Sequence, residues 1–554
     1  MRNYLKLNLI CIMTISFFLL SCTYNKKKKT KAPFIWNGAN VYFLLTDRFY
    51  NADKTNDVNF GRTESTAPLR GFMGGDIKGI TKKINDGYFN KLGINAIWLS
   101  PIAEQIHGFV DEGTGKTYGF HGYWAKDWTK PEPNFGTKED IKEFVRVAHK
   151  NGIRVLFDVV LNHTGPVTPL DKIYDKNWVR TSPQCTYKDY ITTIKGPLVK
   201  NLPDIKTDSN ENVRLPKVLI EKWKNEGRLD NELNELEQFF SRTGYPKAPK
   251  YYIIKWLTDY IKEYGIDGFR IDTAKHIEEE IWKELSKQSQ YTFKQWKKEN
   301  PNKVLDNNDF FLVGEVYNYS IDGLRYFDFG DKKVNYYAQG MQSLINFGFK
   351  YHANDDYEKI FAKYSNILNK QMKGLSVMNY ISSHDDGYPF DQLRKKPFES
   401  ANKLLLCPGI SQVYYGDETA RDLQYKGANG DANLRTFMNW NEIDSSKNGY
   451  KVSNVLEYWQ KLGKFRKENP AIGAGIHNLI SEKPYTFSRT YLSPNYKNKI
   501  IVAIDLNKEV NKLIVGSIFK DGNTIKDYFT GKSYTVKNNT ISIKGKQKIA
   551  LLAY

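Results

Sequence analysis

Arg270 and Asp272 stand two apart in Gly268-Phe269-Arg270-Ile271-Asp272-Thr273-Ala274-Lys275-His276, a run that opens as a short apolar strand and closes in charge. Side chains two apart on a strand point to the same side, so the guanidinium and the carboxylate face the same way. A fixed opposite charge favours the ionised acid. An ionised carboxylate at a strand end can act as a nucleophile. A lone Arg-x-Asp is more often a structural ion pair, and three further segments weigh against that reading. Arg154–Val160 runs into Leu161-Asn162-His163. Residues 310–315 read Phe-Phe-Leu-Val-Gly-Glu. Ser376–Ile381 leads through Ser382 and Ser383 to His384-Asp385-Asp386. Each is an apolar strand ending in acid or imidazole. Polar groups gathered at the C-terminal ends of parallel strands mark the catalytic face of an α/β barrel.

Eight strand-like runs could supply that barrel: Val41–Thr46, Ala96–Ser100, Arg154–Val160, Phe269–Asp272, Phe311–Gly314, Leu344–Phe347, Ser376–Ile381 and Gln412–Tyr415. Amphipathic stretches such as Lys138–Lys150 and Tyr252–Tyr264 lie between most of them, with apolar residues at three- and four-residue spacing. Strand alternating with helix implies a parallel sheet. About 90 residues separate Asn162 from the helix before Gly268, too many for a structureless loop. They predict an inserted subdomain over the catalytic face, with a charged helical segment from about Leu215 to Phe240. Beyond Pro470 short alternating runs separated by Asn and Gly predict a small antiparallel β domain. The expected boundaries are 36–163 and 251–470 for the barrel, 164–250 for the insertion and 471–554 for the β domain.

A chain of 554 residues calls for several domains, and 40% apolar residues make it globular rather than disordered. The net charge of +20 would suit nucleic acid only if it were clustered in a binding motif. Only Lys26 to Lys29 form a tight run, so nucleic-acid binding is not expected. A solvated surface or an anionic envelope accounts for the excess better. Arg2 and Lys6 precede an apolar stretch from Leu7 to Leu20, which reads as a secretory signal over 1–21. Leu19-Leu20-Ser21-Cys22 resembles a bacterial lipobox, which implies lipidation of Cys22, a tether over 22–35 and a place in the bacterial cell envelope. Cys185 and Cys407 are far apart in sequence and do not establish a disulfide.

With these segments in view the chain resembles the α-amylase family of glycoside hydrolases, family 13. The likeness rests on DVVLNH (158–163), LPD (202–204), GFRIDTAKH (268–276), GE (314–315) and HDD (384–386). GFHGYW (119–124), LPDIKT (202–207), SSHD (382–385) and YYGDE (414–418) look like the periplasmic α-amylases of Gram-negative bacteria. Ser383 stands where many family members carry Asn. The resemblance implies a (β/α)8 TIM barrel with the insertion after strand three and a C-terminal antiparallel β-sandwich. It implies a retaining reaction, in which two carboxyls about 5–5.5 Å apart flank the bond to be cut. Asp272 would be the nucleophile, Glu315 the acid/base with a raised pKa, and Asp385 the group that grips the sugar. Arg270 would hold Asp272 ionised. His163 and His384 would bond the central sugar, Tyr123 would stack beneath it with His121 nearby, and Lys275 and His276 would meet the next glucose. Calcium is the implied cofactor, held by Asn162, Asp204 and the His276 carbonyl. The expected substrate is starch, glycogen or maltodextrin, cut internally at α-1,4 bonds by a monomer. A maltodextrin glucosidase or transglycosylase on the same barrel is the alternative, followed by a non-catalytic glucan-binding lipoprotein.

Overall fold

The computed structural model describes residues 32–545 and 547–554. The signal over 1–21, the lipidation at Cys22 and most of the tether lie outside the described residues. Among the described residues no helix is long and apolar enough to cross a membrane.

Eight parallel strands close into a barrel. They are β1 (Asn40–Leu44), β2 (Ala96–Leu99), β3 (Arg154–Val159), β4 (Gly268–Ile271), β5 (Phe311–Gly314), β6 (Ser343–Asn346), β7 (Ser376–Asn379) and β8 (Ile410–Tyr414), with β8 pairing back to β1. Every residue of every one of these strands is buried. That burial explains their composition: strands covered on both faces read as near-continuous apolar runs. Gly268 opens β4 because a Cβ there would fall 2.4 Å from the Phe311 carbonyl oxygen.

Nine helices matter to the argument: α1 (Ile77–Asn85), α2 (Lys138–Lys150), α3 (Lys217–Asn225), α4 (Leu229–Thr243), α5 (Pro249–Tyr264), α6 (Glu280–Glu299), α7 (Tyr357–Asn369), α8 (Pro397–Leu405) and α9 (Val452–Glu468). The local sequence sets their ends. Thr137 and Asp140 form a reciprocal capping box on α2. Pro249 occupies the first turn of α5, where no amide hydrogen is missed, and Gly265 ends it in the left-handed region at φ +69°. The turn after α5 is then tied down by Asp267, whose carboxylate accepts bonds from His149 Nε2 and Val155 N, each at 2.8 Å. That contact sets the start of β4 against β3.

Residues 164–250 carry a two-stranded ribbon (Val179–Arg180 with Asp204–Ile205) and helices α3 and α4. The single helical segment expected over 215–240 is two helices, broken at Gly227. The segment does not build a separate core. Leu219, Trp223, Leu236, Phe239 and Phe240 belong to the same contiguous apolar cluster as the barrel. A second excursion, unforeseen, follows β2: Ala103–Gln105 pairs with Ala125–Pro131, and the loop between them holds His121 and Tyr123.

The C-terminal part is a six-stranded antiparallel sheet faced by a two-stranded one. The sheet runs β9 (Ile476–Glu482), β10 (Tyr485–Ser493), β11 (Tyr496–Ile504), β16 (Ile549–Ala553), β13 (Thr524–Asp527), β14 (Ser533–Thr535). The two-stranded sheet pairs β12 (Val510–Ile514) with β15 (Thr540–Lys544), which are not neighbours in the chain. The period of two is visible in β11. Ile501 and Ala503 enter a core shared with Leu513, Ile541 and Ile543 of the two-stranded sheet. Ile500, Val502 and Ile504 join the barrel's core. One sheet thus seals the sandwich and docks it on the barrel.

Candidate active site

Asp272 and Glu315 are the first residues beyond β4 and β5. The backbone amide of Asp272 donates to Val159 O at 3.0 Å, and that of Glu315 to Ile271 O at 2.9 Å. Both side chains therefore leave the barrel at the same level on adjacent strands. Arg270, one residue inside β4, joins them. Its Nη1 donates to Asp272 Oδ1 at 2.9 Å, and its Nη2 lies 3.1 Å from Glu315 Oε1. The same Nη1 also reaches both oxygens of Asp158, at 2.9 and 3.0 Å. Asp158 is the in-register neighbour of Arg270 on β3. All four groups are nine-tenths or more buried.

One cation is thus divided among three buried acids, and this division sets the proton affinity of Asp272. Burial raises its pKa, Arg270 pulls it back, and Asp158 raises it again, so it settles near 6 rather than below the usual carboxylate range. Glu315 goes higher, to about 8, because burial outweighs Arg270 and both Asp272 and Asp385 add to it. At neutral pH the arrangement keeps Asp272 mostly ionised and Glu315 mostly protonated. Glu315 is also aimed. Its Oε2 accepts the Thr273 amide at 2.8 Å, and Thr273 sits at φ +48°, a left-handed conformation unfavourable to a β-branched residue.

Asp385 stands at the edge of this group, with its side chain 39% exposed. Ser383 Oγ donates to its Oδ1 at 3.1 Å, and His384 Nε2 lies 3.4 Å from Oδ2. The Ser that replaces the family Asn is therefore in contact with the third acid.

Tyr123 is clamped among three histidines. It stacks on His384 at 5.3 Å and on His121 at 5.7 Å, and its amide donates to His121 Nδ1 at 3.0 Å. His163 Nε2 meets its carbonyl at 3.1 Å. Its hydroxyl donates to Asp158 Oδ2 at 2.8 Å, which ties the ring to the carboxylate cluster. Burial pushes His163 down to about 4 and His121 and His384 well below their ordinary value, so all three are neutral at pH 7. Neutral imidazole can donate and accept at once, which suits uncharged hydroxyls.

Lys275 and His276 lie apart from that group. Lys275 Nζ donates to Tyr317 O at 3.2 Å, two residues beyond Glu315. The His276 ring is buried against the 164–250 segment, with Nδ1 on Thr193 O at 3.0 Å. That junction also contains the expected metal residues. The Asn162 carbonyl accepts Ile205 N at 2.9 Å, and Asp204 bridges to His163. Asp204 Oδ2 accepts Gly196 N at 3.3 Å and lies 2.9 Å from Arg180 Nε as an ion pair. Burial still lifts its pKa to about 7, so the carboxylate remains short of positive charge. No hydrogen bond from the described residues reaches Asp204 Oδ1, Asn162 Oδ1 or the His276 carbonyl. These are oxygen donors suited to a hard cation. No group of three or more His, Cys, Asp or Glu is gathered for a metal among the described residues, so an ion there would depend on amide and main-chain oxygens.

Residues that sequence reasoning missed include Asp158, Trp98 and Arg435. Trp98 Nε1 donates to Asp158 Oδ2 at 3.0 Å. Arg435 Nε donates to the His384 carbonyl at 2.9 Å. Asp158 had a signal: it is an acid inside a strand otherwise buried and apolar. Arg435 had none, since it ends a short 3₁₀ helix (Gly430–Arg435) 51 residues beyond its partner.

Comparison with known proteins agrees with the barrel fold. The family described as alpha amylase, catalytic domain, matches residues 43–434. The periplasmic alpha-amylase of Escherichia coli (strain K12) is 33% identical over 524 residues, covering 83% of this chain and 72% of that protein. A cyclomaltodextrin glucanotransferase of Geobacillus stearothermophilus is 28% identical, covering 93% of this chain and 66% of that enzyme. Among solved structures, an Anoxybacillus alpha-amylase superposes with a TM-score of 0.63 at 24% identity, covering 94% and 99% of the two chains.

Proposed function

The chain belongs to the α-amylase family of glycoside hydrolases, and on that premise we propose that it is a retaining enzyme that cuts internal α-1,4-glucosidic bonds of starch, glycogen or maltodextrins. The observation that carries this reading is the guanidinium of Arg270 held between Asp272 and Glu315, with their proton affinities pushed apart. Two carboxyls on one guanidinium stand close together, which favours the shorter of the two glycosidase spacings. Asp272 attacks the anomeric carbon while Glu315 gives its proton to the leaving oxygen. Glu315, now ionised, takes a proton from the water that opens the glycosyl ester. Asp385 grips sugar hydroxyls, as do the neutral His163 and His384 around Tyr123. His121 supports that ring, and Lys275 and His276 serve the leaving-group side.

NMR of the fresh product, read with a product ladder, tests the proposal. An α-anomer with mid-length oligosaccharides appearing early supports it; a β-anomer overturns retention, and glucose alone overturns endo action. Asp272→Asn should lower starch hydrolysis by about 10⁴-fold or more with folding intact, and near-native turnover would refute the assignment. The glucanotransferase likeness favours a second reading, transfer of the glycosyl unit to another sugar. Cyclic or lengthened maltodextrins in the ladder would establish it.

Asn162, Asp204 and the His276 carbonyl would hold calcium, which pins 164–250 to the barrel and takes no part in bond cleavage. Chelation should then lower the melting temperature, with calcium restoring it better than magnesium; an unchanged melt would remove the ion. The likeness to a periplasmic enzyme also supports an envelope lipoprotein anchored at Cys22. Fatty-acid labelling that persists in Cys22→Ser would exclude that anchor.

A further inference from the structure

Residues 471–554 carry twelve Lys and one Arg against five acids, a net of +8 out of the chain's +20. Lysines elsewhere, such as Lys78, Lys138 and Lys255, sit against carboxylates. In the C-terminal domain they do not. The one acid–base pair among its described residues is His477 with Glu358 of α7, at 2.9 Å, and none of its described lysines has a carboxylate partner. One of them, Lys526, rests on the Tyr528 ring at 4.9 Å. All but Lys499 are exposed.

The period of two sorts these positions. Ile501 and Ala503 of β11 face the two-stranded sheet, so Lys497 and Lys499, in phase with them, lie on the side away from the barrel. Across β10 they pair with Leu492 and Thr490, and Thr490 pairs in turn with Ile476 of β9. On β12 and β15, Leu513, Ile541 and Ile543 point inward. Val510, Lys512, Ile514 and Lys544 therefore point out. No acid occupies an outward position on any of these strands. Ile476, Leu492, Val510 and Ile514 are each more than half exposed. Unpaired ammonium groups interleaved with exposed aliphatics suit a surface that is negative and has an apolar layer beneath.

The described chain also begins beside this domain. Asn37 Nδ2 donates to Leu375 O at 3.4 Å, just before β7, and Trp36 stacks at 4.0 Å on Phe311, the first residue of β5. A Cβ on Gly473 would fall 2.6 Å from Asn37 O, so residues 36–38 pack on the start of the C-terminal domain. Asp272 and Glu315 lie at the opposite ends of the barrel strands. We propose that the outward face of the C-terminal domain docks on an anionic phospholipid surface, while the catalytic face stays turned to solvent. The charge and the aliphatics carry the docking by themselves. That such a surface is always within reach rests on the proposed lipidation of Cys22, because the ten residues from there to residue 32 span at most about 36 Å.

Vesicle flotation tests the proposal with unlipidated protein, residues 22–554 carrying Cys22→Ser, which keeps every described residue. Vesicles of phosphatidylcholine with about one-third phosphatidylglycerol should bind it. Binding should fall about 10-fold or more on pure phosphatidylcholine, or when salt is raised to about 0.5 M. The combined substitutions Lys497→Gln, Lys499→Gln, Lys512→Gln and Lys544→Gln should weaken binding by about 10-fold or more and leave starch hydrolysis within about 2-fold of the parent. Lys172→Gln, Lys176→Gln, Lys188→Gln and Lys200→Gln remove the same charge from exposed positions of the 164–250 segment. They should leave binding within about 2-fold. Equal binding to both kinds of vesicle, equal losses from the two sets, or capture by the anionic polysaccharide alginate with no vesicle binding would overturn the proposal. None of these outcomes touches retention or the labelling of Cys22, so the docking face and the proposed function fail separately.

Discussion

Two buried carboxylates of this protein meet cations on opposite terms. Asp127, in the ribbon after β2, is wholly buried and receives Lys222 Nζ at 3.0 Å, Arg228 Nη2 at 2.6 Å, Trp223 Nε1 at 3.1 Å and Thr129 Oγ1 at 2.6 Å. Burial penalises its charge, but two cations and the Thr129 bonds outweigh that penalty, and its pKa is lowered. Glu315 is also buried, yet it has a third share in one guanidinium and two acids nearby, and its pKa rises to about 8. Burial alone therefore does not make a proton donor. The ratio of cations to acids decides it. One cluster holds charge to fix a fold; the other is left short of positive charge so that a proton can move.

The largest effect that separates the two clusters is on chemistry. Glu315→Gln keeps the shape and the bond to Thr273 but cannot give up a proton. Starch hydrolysis should fall by about 10³-fold or more. A glycosyl fluoride, whose leaving group needs no protonation, should lose far less. Equal losses on both substrates would show that Glu315 is not the acid.

Next in size is the pH dependence. The pair predicts a bell for kcat/KM, with an acid limb near 6 as Asp272 is protonated and an alkaline limb near 8 as Glu315 ionises. These limbs belong to the coupled group rather than to either residue alone. The stability sign follows from the same shift. Glu315 binds its proton more tightly folded than unfolded, so it costs stability as pH rises from its unfolded value through about 8. Glu315→Gln has no such cost. Its melting temperature should overtake that of the native protein at alkaline pH and converge with it in acid, as scanning calorimetry at several pH values would show. A constant difference across pH would contradict the shift.

The barrel was legible because parallel strands covered on both faces must be apolar, and because catalytic groups must sit where those strands stop. Asp272, Glu315 and His384 could be placed from that rule together with the family likeness. The shared guanidinium was half legible. Arg270 and Asp272 share a face by the period of two, but Asp158 enters through register between β3 and β4, which no single strand displays. Asp127 was invisible for the same reason in stronger form. Its partners Lys222 and Arg228 lie about a hundred residues away, beyond a loop whose course the sequence does not reveal. The break at Gly227 was not legible because a single glycine inside a helical stretch is often tolerated rather than a stop.

The smallest effect on activity, and the one that completes the contrast, comes from Asp127→Asn. The substitution leaves Lys222 and Arg228 with one acid fewer, though Glu104, Glu226 and Glu232 still pair with them. The loss should be about 1–3 kcal/mol at pH 7, below that of a fully isolated buried charge, because both cations retain some exposure and other partners. Here the sign is the reverse of Glu315. A folded pKa below the unfolded value gives stability that is present above the unfolded pKa and fades as pH falls through the folded one. Denaturant melts of the native and Asn proteins should therefore differ at pH 7 and begin to draw together only as the pH falls below the ordinary carboxylate value of 3.8. Activity should stay within about 2-fold, with both limbs of the pH profile unmoved. A displaced limb in Asp127→Asn would mean that the two clusters are electrostatically joined, and that the balance of charge around Arg270 is set by more of the molecule than its own three acids.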